Sequence, residues 1–506
     1  MDSITGEFML KKFLRKNKIL LGILFLGGAL RLLGLKHGFP FIFHPDESTV
    51  VRSALGVRFF PNPKHFDWPH LYIYLNYFLY MGFTKVRSVF VVLGAKSLLS
   101  SIFPLMWDDT VIFYLLTRTF SALLGTFTII PVYLTGKGLF NKKVGLFSAL
   151  VLAILPYHVW HSHYSVIDVP MVFFVAWSAY FSSRVLKSDK ILNYVLAGLF
   201  VGLAGSTKYH GALSALVLVV AYFGKYLVVK KNIAKLIKKI YKPILAGVFS
   251  VLGFLLGTPY ALLDWDTFSR TDMSKGAFWQ FTNVGSVDCF TQVGQFLGVF
   301  SDKFISDWTF TFVLLFVGAM GYSAYLLFKK EVEDTKAVSL LLIFLPALVY
   351  IFYISGFEKN RSHYYMISYP FVALSIGWFV VRLREMFDTA MKRNLLLGLL
   401  CVPFVFSIMN TAKFVRKDSR VLLHEYFEEN AEKFSKKRLN VYYTANEFEQ
   451  VLPKEAEKIE YDSKDLTLKY PYTLVVECPS SEIIAYSKGA YVIDYTLRRG
   501  PNICIK

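Results

Sequence analysis

HLYIYLNYFLYMGFTKVRSVFVVLGA, residues 70–95, is apolar and aromatic enough to cross a membrane but carries Lys85 and Arg87 near its middle. A charge at the bilayer centre costs roughly 3 kcal/mol on insertion scales. The segment is therefore expected to lie along the membrane surface as an amphipathic helix. That choice fixes the face on which every later loop falls.

Around it, runs of about 20 apolar residues bounded by charge predict spans at about 18–36, 110–136, 144–158, 168–186, 192–206, 210–229, 241–262, 306–328, 337–355, 363–383 and 394–412. With the basic N-terminus (Lys11 to Lys18) inside, this set of eleven puts the later basic loops inside too: Lys137 to Lys143, Arg184 to Lys190, Lys230 to Lys242, Lys329 to Lys336 and Arg382 to Arg393. A crossing at 70–95 would turn all of them outward, against the positive-inside rule. The fold expected is a multi-spanning α-helical membrane protein with amphipathic juxtamembrane helices in its first outer loop. In this reading the outer face holds that loop (about 37–109), a large loop at about 263–305, short turns near 159–167, 207–209 and 356–362, and everything after about 412.

Composition agrees. Of 506 residues, 55% are hydrophobic and only 18% charged, which excludes a disordered or ordinary soluble chain. The net charge of +20 is explained by inner-face lysines and arginines rather than by nucleic acid. Cys289, Cys401, Cys478 and Cys504 form no CxxC pair and predict neither a disulfide framework nor zinc. There is no phosphate-binding glycine loop, which argues against an ATP-driven pump, and no cofactor is expected. The opening MDSITGEF reads as an added leader with the native start at Met9, and the first apolar run lacks a small-residue cleavage site, so it is expected to be retained.

The chain divides at about 412. Residues 1–412 form the membrane part, and 413–506 change character: a charged helical pattern from Arg420 to Phe434, then β-rich runs Asn440–Thr444, Thr473–Glu477 and Ala490–Leu497, as in a small α/β domain on the outer face.

All ten histidines fall in outer segments or at their edges, as does the acidic pair in His44-Pro45-Asp46-Glu47. Adjacent carboxylates suit general-base work, one taking a proton while the other orients a substrate. They equally suit the first turn of a helix opened by Pro45. Asp67-Trp68-Pro69-His70 sets a carboxylate, an indole and an imidazole at headgroup depth, where aromatic belts also occur without function. His158, His161 and His163 share a short turn with Asp168; a metal site is conceivable on residue types, but no HExxH-like spacing supports one, and hydrogen bonding or substrate contact through His163 is preferred. Lys208 lies in an apolar hairpin where it must snorkel or meet an anion. Arg361, in Glu358-Lys359-Asn360-Arg361-Ser362-His363-Tyr364-Tyr365, is an outer cation suited to bidentate phosphate contact or to a lipid headgroup. An outer carboxylate with isolated cations describes a site where a lipid phosphate is a ligand or leaving group.

Across about residues 18–412 the chain resembles the GT-C membrane glycosyltransferases of the family 39 type, which include protein O-mannosyltransferases and lipid A aminoarabinose transferases. The matching residues are Asp46-Glu47, Trp68 to Tyr72, Arg118, Asp168-x-Pro170, Lys208, Thr258-Pro259-Tyr260, and Arg361 with Tyr365 and Pro370. The resemblance implies transfer of a sugar from a polyprenyl- or dolichyl-phosphate donor to a hydroxyl acceptor, with inversion, on the outer face of the plasma membrane. By it Asp46 is the base, Glu47 and Asp168 orient acceptor or sugar, and Lys208 and Arg361 neutralise the departing phosphate. Trp68, His70, His163, Tyr260 and Tyr365 contact substrate, and no metal is used. Two features depart from the pattern. Asp67-Trp68-Pro69-His70 replaces the Glu-Lys-Pro-Pro usual in aminoarabinose transferases, and the loop 263–305 is shorter than that of O-mannosyltransferases, which leaves the acceptor open among protein, glycolipid and envelope polymer. The rival classes are a secondary transporter or lipid flippase, which would bury its ionisable groups at mid-helix beside broken helices, and a non-catalytic scaffold.

Overall fold

The computed structural model describes residues 2–429, residue 499, and five strands between 439 and 505. Helix α1 (Asp2–Leu32) leads into the first long loop, which contains α2 (Pro45–Gly56) and α3 (Leu71–Val92). Pro45 supplies the fixed φ that a first helical position wants, and Asp46 and Glu47 meet the positive end of the helix dipole. The His44 imidazole caps the helix by accepting from the Asp46 N–H at 3.3 Å. In α3, Lys85 is exposed, while Arg87 pairs with Asp109 and packs on Trp107. Neither charge is stranded in an apolar environment, and α3 is not among the helices long and apolar enough to cross a membrane.

Eight helices among the described residues meet that test: Ile112–Leu139, Asp168–Lys187, Tyr209–Val229, Ile233–Gly257, Phe310–Phe328, Asp334–Ser355, Ser362–Met386 and Ala390–Glu429. The chain is an integral membrane protein. Three of the eleven expected spans fall short of it. The run 18–36 forms only the second half of α1 and turns out of helix after Leu32. The run 144–158 is split by Pro156 into Lys142–Ala153 and Pro156–His161. Ile191–Thr207 is apolar but has 17 residues, about 26 Å against a hydrocarbon core of about 30 Å.

That short helix is packed with unusual closeness. A side chain at Gly198 or Gly202 would collide with the carbonyls of Ala246 and Ser250, so the two glycines, four apart, let Ile191–Thr207 lie backbone to backbone against Tyr241–Gly257. The contact brings the ends of both helices together: Ser206 and Thr258 share a hydroxyl hydrogen bond of 2.6 Å, and Thr258 Oγ1 accepts the His70 N–H at 3.2 Å. The last long helix returns to the first, with Ser407 donating to Ile154 O and Thr411 to Leu30 O, each at 2.9 Å.

Beyond Glu429, strands β1 (Leu439–Tyr443), β2 (Glu457–Glu460), β3 (Tyr472–Val476), β4 (Tyr491–Ile493) and β5 (Ile503–Ile505) form one sheet in the order β2-β1-β3-β5-β4. β1 runs parallel to β2 and β3, and β5 antiparallel to β3 and β4. Apart from Arg499, the connections between these strands lie outside the described residues. Arg499 reaches back to the bundle: its backbone carbonyl accepts the Ser419 N–H, its guanidinium donates to His37 Nδ1 at 2.7 Å and lies 4.9 Å from the rings of Tyr164 and Phe414.

Candidate active site

Successive residues on a helix point about 100° apart, so at the start of α2 only one of the two adjacent carboxylates can face an opening. It is Asp46, half-buried on a cavity of ≈ 580 Å³. Glu47 turns inward and has no exposure. Both its oxygens are taken: Arg118 donates Nε to Oε1 at 2.8 Å and Nη2 to Oε2 at 2.7 Å, and the Ser165 N–H adds a bond of 2.8 Å. Burial by itself raises the Glu47 carboxyl, but the Arg118 charge and these bonds outweigh it and hold the group ionised, below the ordinary glutamate range. Arg118 Nη1 donates to the carbonyls of Leu35 and His37 at 2.9 and 2.8 Å, pinning the start of the first loop.

Asp168 opens the helix Asp168–Lys187 and faces the same cavity. Opposite it, Lys208 ends the helix Ile191–Thr207 with an extended backbone (φ −153°), which carries its side chain off the helix path and into the opening. Lys208 Nζ donates to Asp168 Oδ1 at 2.5 Å and stands 4.8 Å from the Tyr364 ring centroid. The other Asp168 oxygen faces His161 Nε2 at 3.3 Å, and the His161 ring is stacked on His363. Arg361, exposed, lines the cavity from the turn before Ser362–Met386, and His363 from the first turn of that helix.

The far wall comes from the loop 263–305. Gly285, at φ +71°, makes a turn that lays residues 280–287 against the bend at 356–360. The Val287 N–H donates to Gly356 O and the Lys359 N–H to Val284 O, each at 3.0 Å, and Lys359 Nζ donates to Asn283 Oδ1 at 2.6 Å. Gln280 and Asn283 face the cavity beside Phe281 and Phe357.

Asp46, Asp168, Lys208, Arg361 and Trp68 thus come together, and Asp67 joins them. Five other expected contacts do not reach the cavity. Glu47 is consumed by Arg118. His70 is buried, its Nε2 donating to His65 O at 2.8 Å, and burial pushes the ring down to about 4. His163 is buried with Nδ1 and Nε2 each 2.9 Å from a backbone carbonyl, of Val159 and Leu33, so that one of them takes its single N–H, and it stacks on Phe414 at 4.0 Å. Tyr260 starts the short helix Tyr260–Leu263 outside the lining. Tyr365 points into the bundle, 3.2 Å from Ser355 Oγ, leaving its neighbour Tyr364 on the cavity. Among the described residues no three His, Cys, Asp or Glu side chains converge as metal ligands. The histidines of the 158–163 turn diverge, His158 accepting from Arg31 at 2.9 Å. Sequence reading missed His210, His363 and Tyr364 as lining residues, each within two residues of a chosen one, and preferred His163 to His161, the partner of Asp168. Gln280 and Asn283 gave no signal, being neutral amides in a loop without a motif.

Residues 115–257, which include Arg118, Asp168 and Lys208, match the family model described as dolichyl-phosphate-mannose-protein mannosyltransferase. Dolichyl-phosphate-mannose–protein mannosyltransferase 1 of Saccharomyces cerevisiae is 31% identical over 156 residues, 29% of this chain and 18% of that protein, so the match spans less than a fifth of the curated relative. In structure, ArnT from Cupriavidus metallidurans bound to undecaprenyl phosphate superposes with a TM-score of 0.52 at 13% identity, covering 99% of this chain and 98% of the other. The oligosaccharyltransferase of Archaeoglobus fulgidus gives 0.50 at 14% identity, over 84% and 60%. The chain is therefore similar to the GT-C membrane glycosyltransferases of the family 39 type, in sequence over residues 115–257 and in fold over nearly its whole length.

Proposed function

We propose that this protein moves a sugar from a polyprenyl- or dolichyl-phosphate donor to a hydroxyl acceptor. The observation that carries the reading is the convergence of Asp46, Asp168, Lys208 and Arg361, from four distant segments, on one cavity. In the reaction Asp46 takes the proton of the acceptor hydroxyl as its oxygen attacks the anomeric carbon. The new C–O bond forms on the face opposite the departing phosphate, so the configuration inverts. The bond between anomeric carbon and phosphate oxygen breaks, and its electron pair leaves with the lipid phosphate. Arg361 and Lys208 oppose the charge that develops there, an electrostatic contribution worth most in a site partly shielded from water. A phosphate is stable as an anion, so its departure needs no proton donor. Asp168 holds the Lys208 ammonium in the cavity, and Glu47 acts at one remove, fixing the α2 start from which Asp46 projects.

The same reading has α1, the broken segment at 144–158 and Ile191–Thr207 complete eleven crossings of the plasma membrane, with the cavity on its outer face. Residues 413–506 then form an α/β unit beside the first outer loop; the support is the hydrogen bond from Arg499 to His37.

The test is transfer of labelled sugar from a panel of polyprenyl- and dolichyl-phosphate donors, using membranes with wild-type protein or D46N. Transfer by the wild type, reduced at least about 100-fold in D46N with folded protein retained, is expected of a lost general base. Equal activity in D46N removes the base assignment. Folded wild type that transfers from no donor to any hydroxyl acceptor overturns the reading.

A further inference from the structure

A second cavity, of ≈ 750 Å³, opens between α2, α3 and the start of Ile112–Leu139. Arg58 and Lys85 line it with Tyr77, against an apolar wall that includes Leu55, Met81 and Phe113, and no carboxylate lines it. The contrast with Arg87, two residues from Lys85 and paired with Asp109, is direct: one cation on α3 has its carboxylate within the chain, while the other faces an open cavity. Close in sequence to the lining residues Arg58 and Val89, Phe59, Phe60 and Val92 are 72%, 69% and 85% accessible. Aromatic and aliphatic side chains left uncovered beside cations are what a membrane surface receives.

We propose that this cavity holds an anionic phospholipid, its phosphate between Arg58 and Lys85 and its chains along the Leu55, Met81 and Phe113 wall. Two cations without a carboxylate select negative charge, and the apolar wall selects an amphiphile over a free anion. The occupant is a phospholipid rather than a sugar donor because Leu55 is nine residues along α2 from Asp46, about 14 Å of helix rise. A sugar phosphate bound here stands too far from Asp46 to react. The site is independent of the transfer reaction and adds a lipid that braces the helix bearing Asp46.

The test uses the full chain in detergent, with native mass spectrometry counting retained phosphatidylglycerol, phosphatidylcholine and undecaprenyl phosphate. Wild type is expected to retain phosphatidylglycerol over phosphatidylcholine, R58A/K85A to lose that preference by about tenfold, and R58K/K85R to recover it. R58Q/K85Q serves as the neutral variant if the double alanine folds poorly. Retention of phosphatidylglycerol unchanged in a folded neutral variant, no preference in wild type, or retention of undecaprenyl phosphate alone would each overturn the proposal. The readout is binding, so it stands whether or not sugar transfer is found.

Discussion

Arg118 holds both oxygens of Glu47 while Asp46, one residue earlier, stays free to face the cavity. Two adjacent acids therefore have separable consequences. Removing one partner of a buried ion pair costs about 3–5 kcal/mol because the other charge is left uncompensated. E47Q and R118M should lower the thermal unfolding midpoint markedly, whereas D46N should leave it near wild type and affect transfer only. Equal destabilisation by all three, in a thermal-shift measurement on purified protein, contradicts this division.

Lys208 and Arg361 should differ in how they fail. Arg361 is exposed and its side chain makes no hydrogen bond or ion pair among the described residues, so R361M should leave stability intact and raise KM for the lipid-phosphate donor by about tenfold or more, with partial recovery in R361K. K208M leaves the buried Asp168 without its cation and should lose stability as well as donor use. Steady-state kinetics beside unfolding curves separates the two.

His70 gives the fold an acid sensitivity. Burial holds its ring at about 4, below the ordinary value of 6.5, so the folded state binds its proton less readily than the unfolded state does. Its destabilising contribution is absent above about pH 6.5, grows as pH falls through that value, and is complete below about 4. H70Q, which keeps a donor for the His65 carbonyl, should flatten the decline in unfolding midpoint between pH 6.5 and 4. An unchanged slope would show that other groups set it.

The glycine contact is testable by size alone. G202V forces a branched side chain into the Ser250 carbonyl and should separate the Ile191–Thr207 and Tyr241–Gly257 helices, with a loss of several kcal/mol or of folded protein altogether. G247V, at a position with nothing within 4 Å, is the control and should be near neutral.

The charged residues of the cavity were legible in the sequence because ionisable groups at the edges of apolar runs are costly and therefore conspicuous. Asp46, Asp168, Lys208 and Arg361 all stood out on that ground. What periodicity could not supply was rotation. Whether Asp46 or Glu47, Tyr364 or Tyr365 meets the cavity depends on about a quarter turn of helix, and whether His161 or His163 meets Asp168 depends on how the 158–163 turn ends; each pair resolves only once the element ends are placed. The wall from residues 280–287 was illegible for another reason: neutral amides in a loop carry no energetic penalty that marks them, and their role comes from hydrogen bonds to a stretch 70 or so residues later. Eight of the expected spans are helices long and apolar enough to cross, while the run at 18–36, the run split by Pro156 and the 17-residue helix fall short of that length.

The reach of Arg499 into the bundle makes the placement of Asp46 a long-range property of the chain. The Arg499 guanidinium donates to the His37 imidazole, the His37 carbonyl in turn receives Arg118, and Arg118 anchors Glu47 beside Asp46. A relay of charged and polar groups 462 residues apart in sequence thus ends one residue from the cavity, so the carboxylate there is positioned by residues that never touch it.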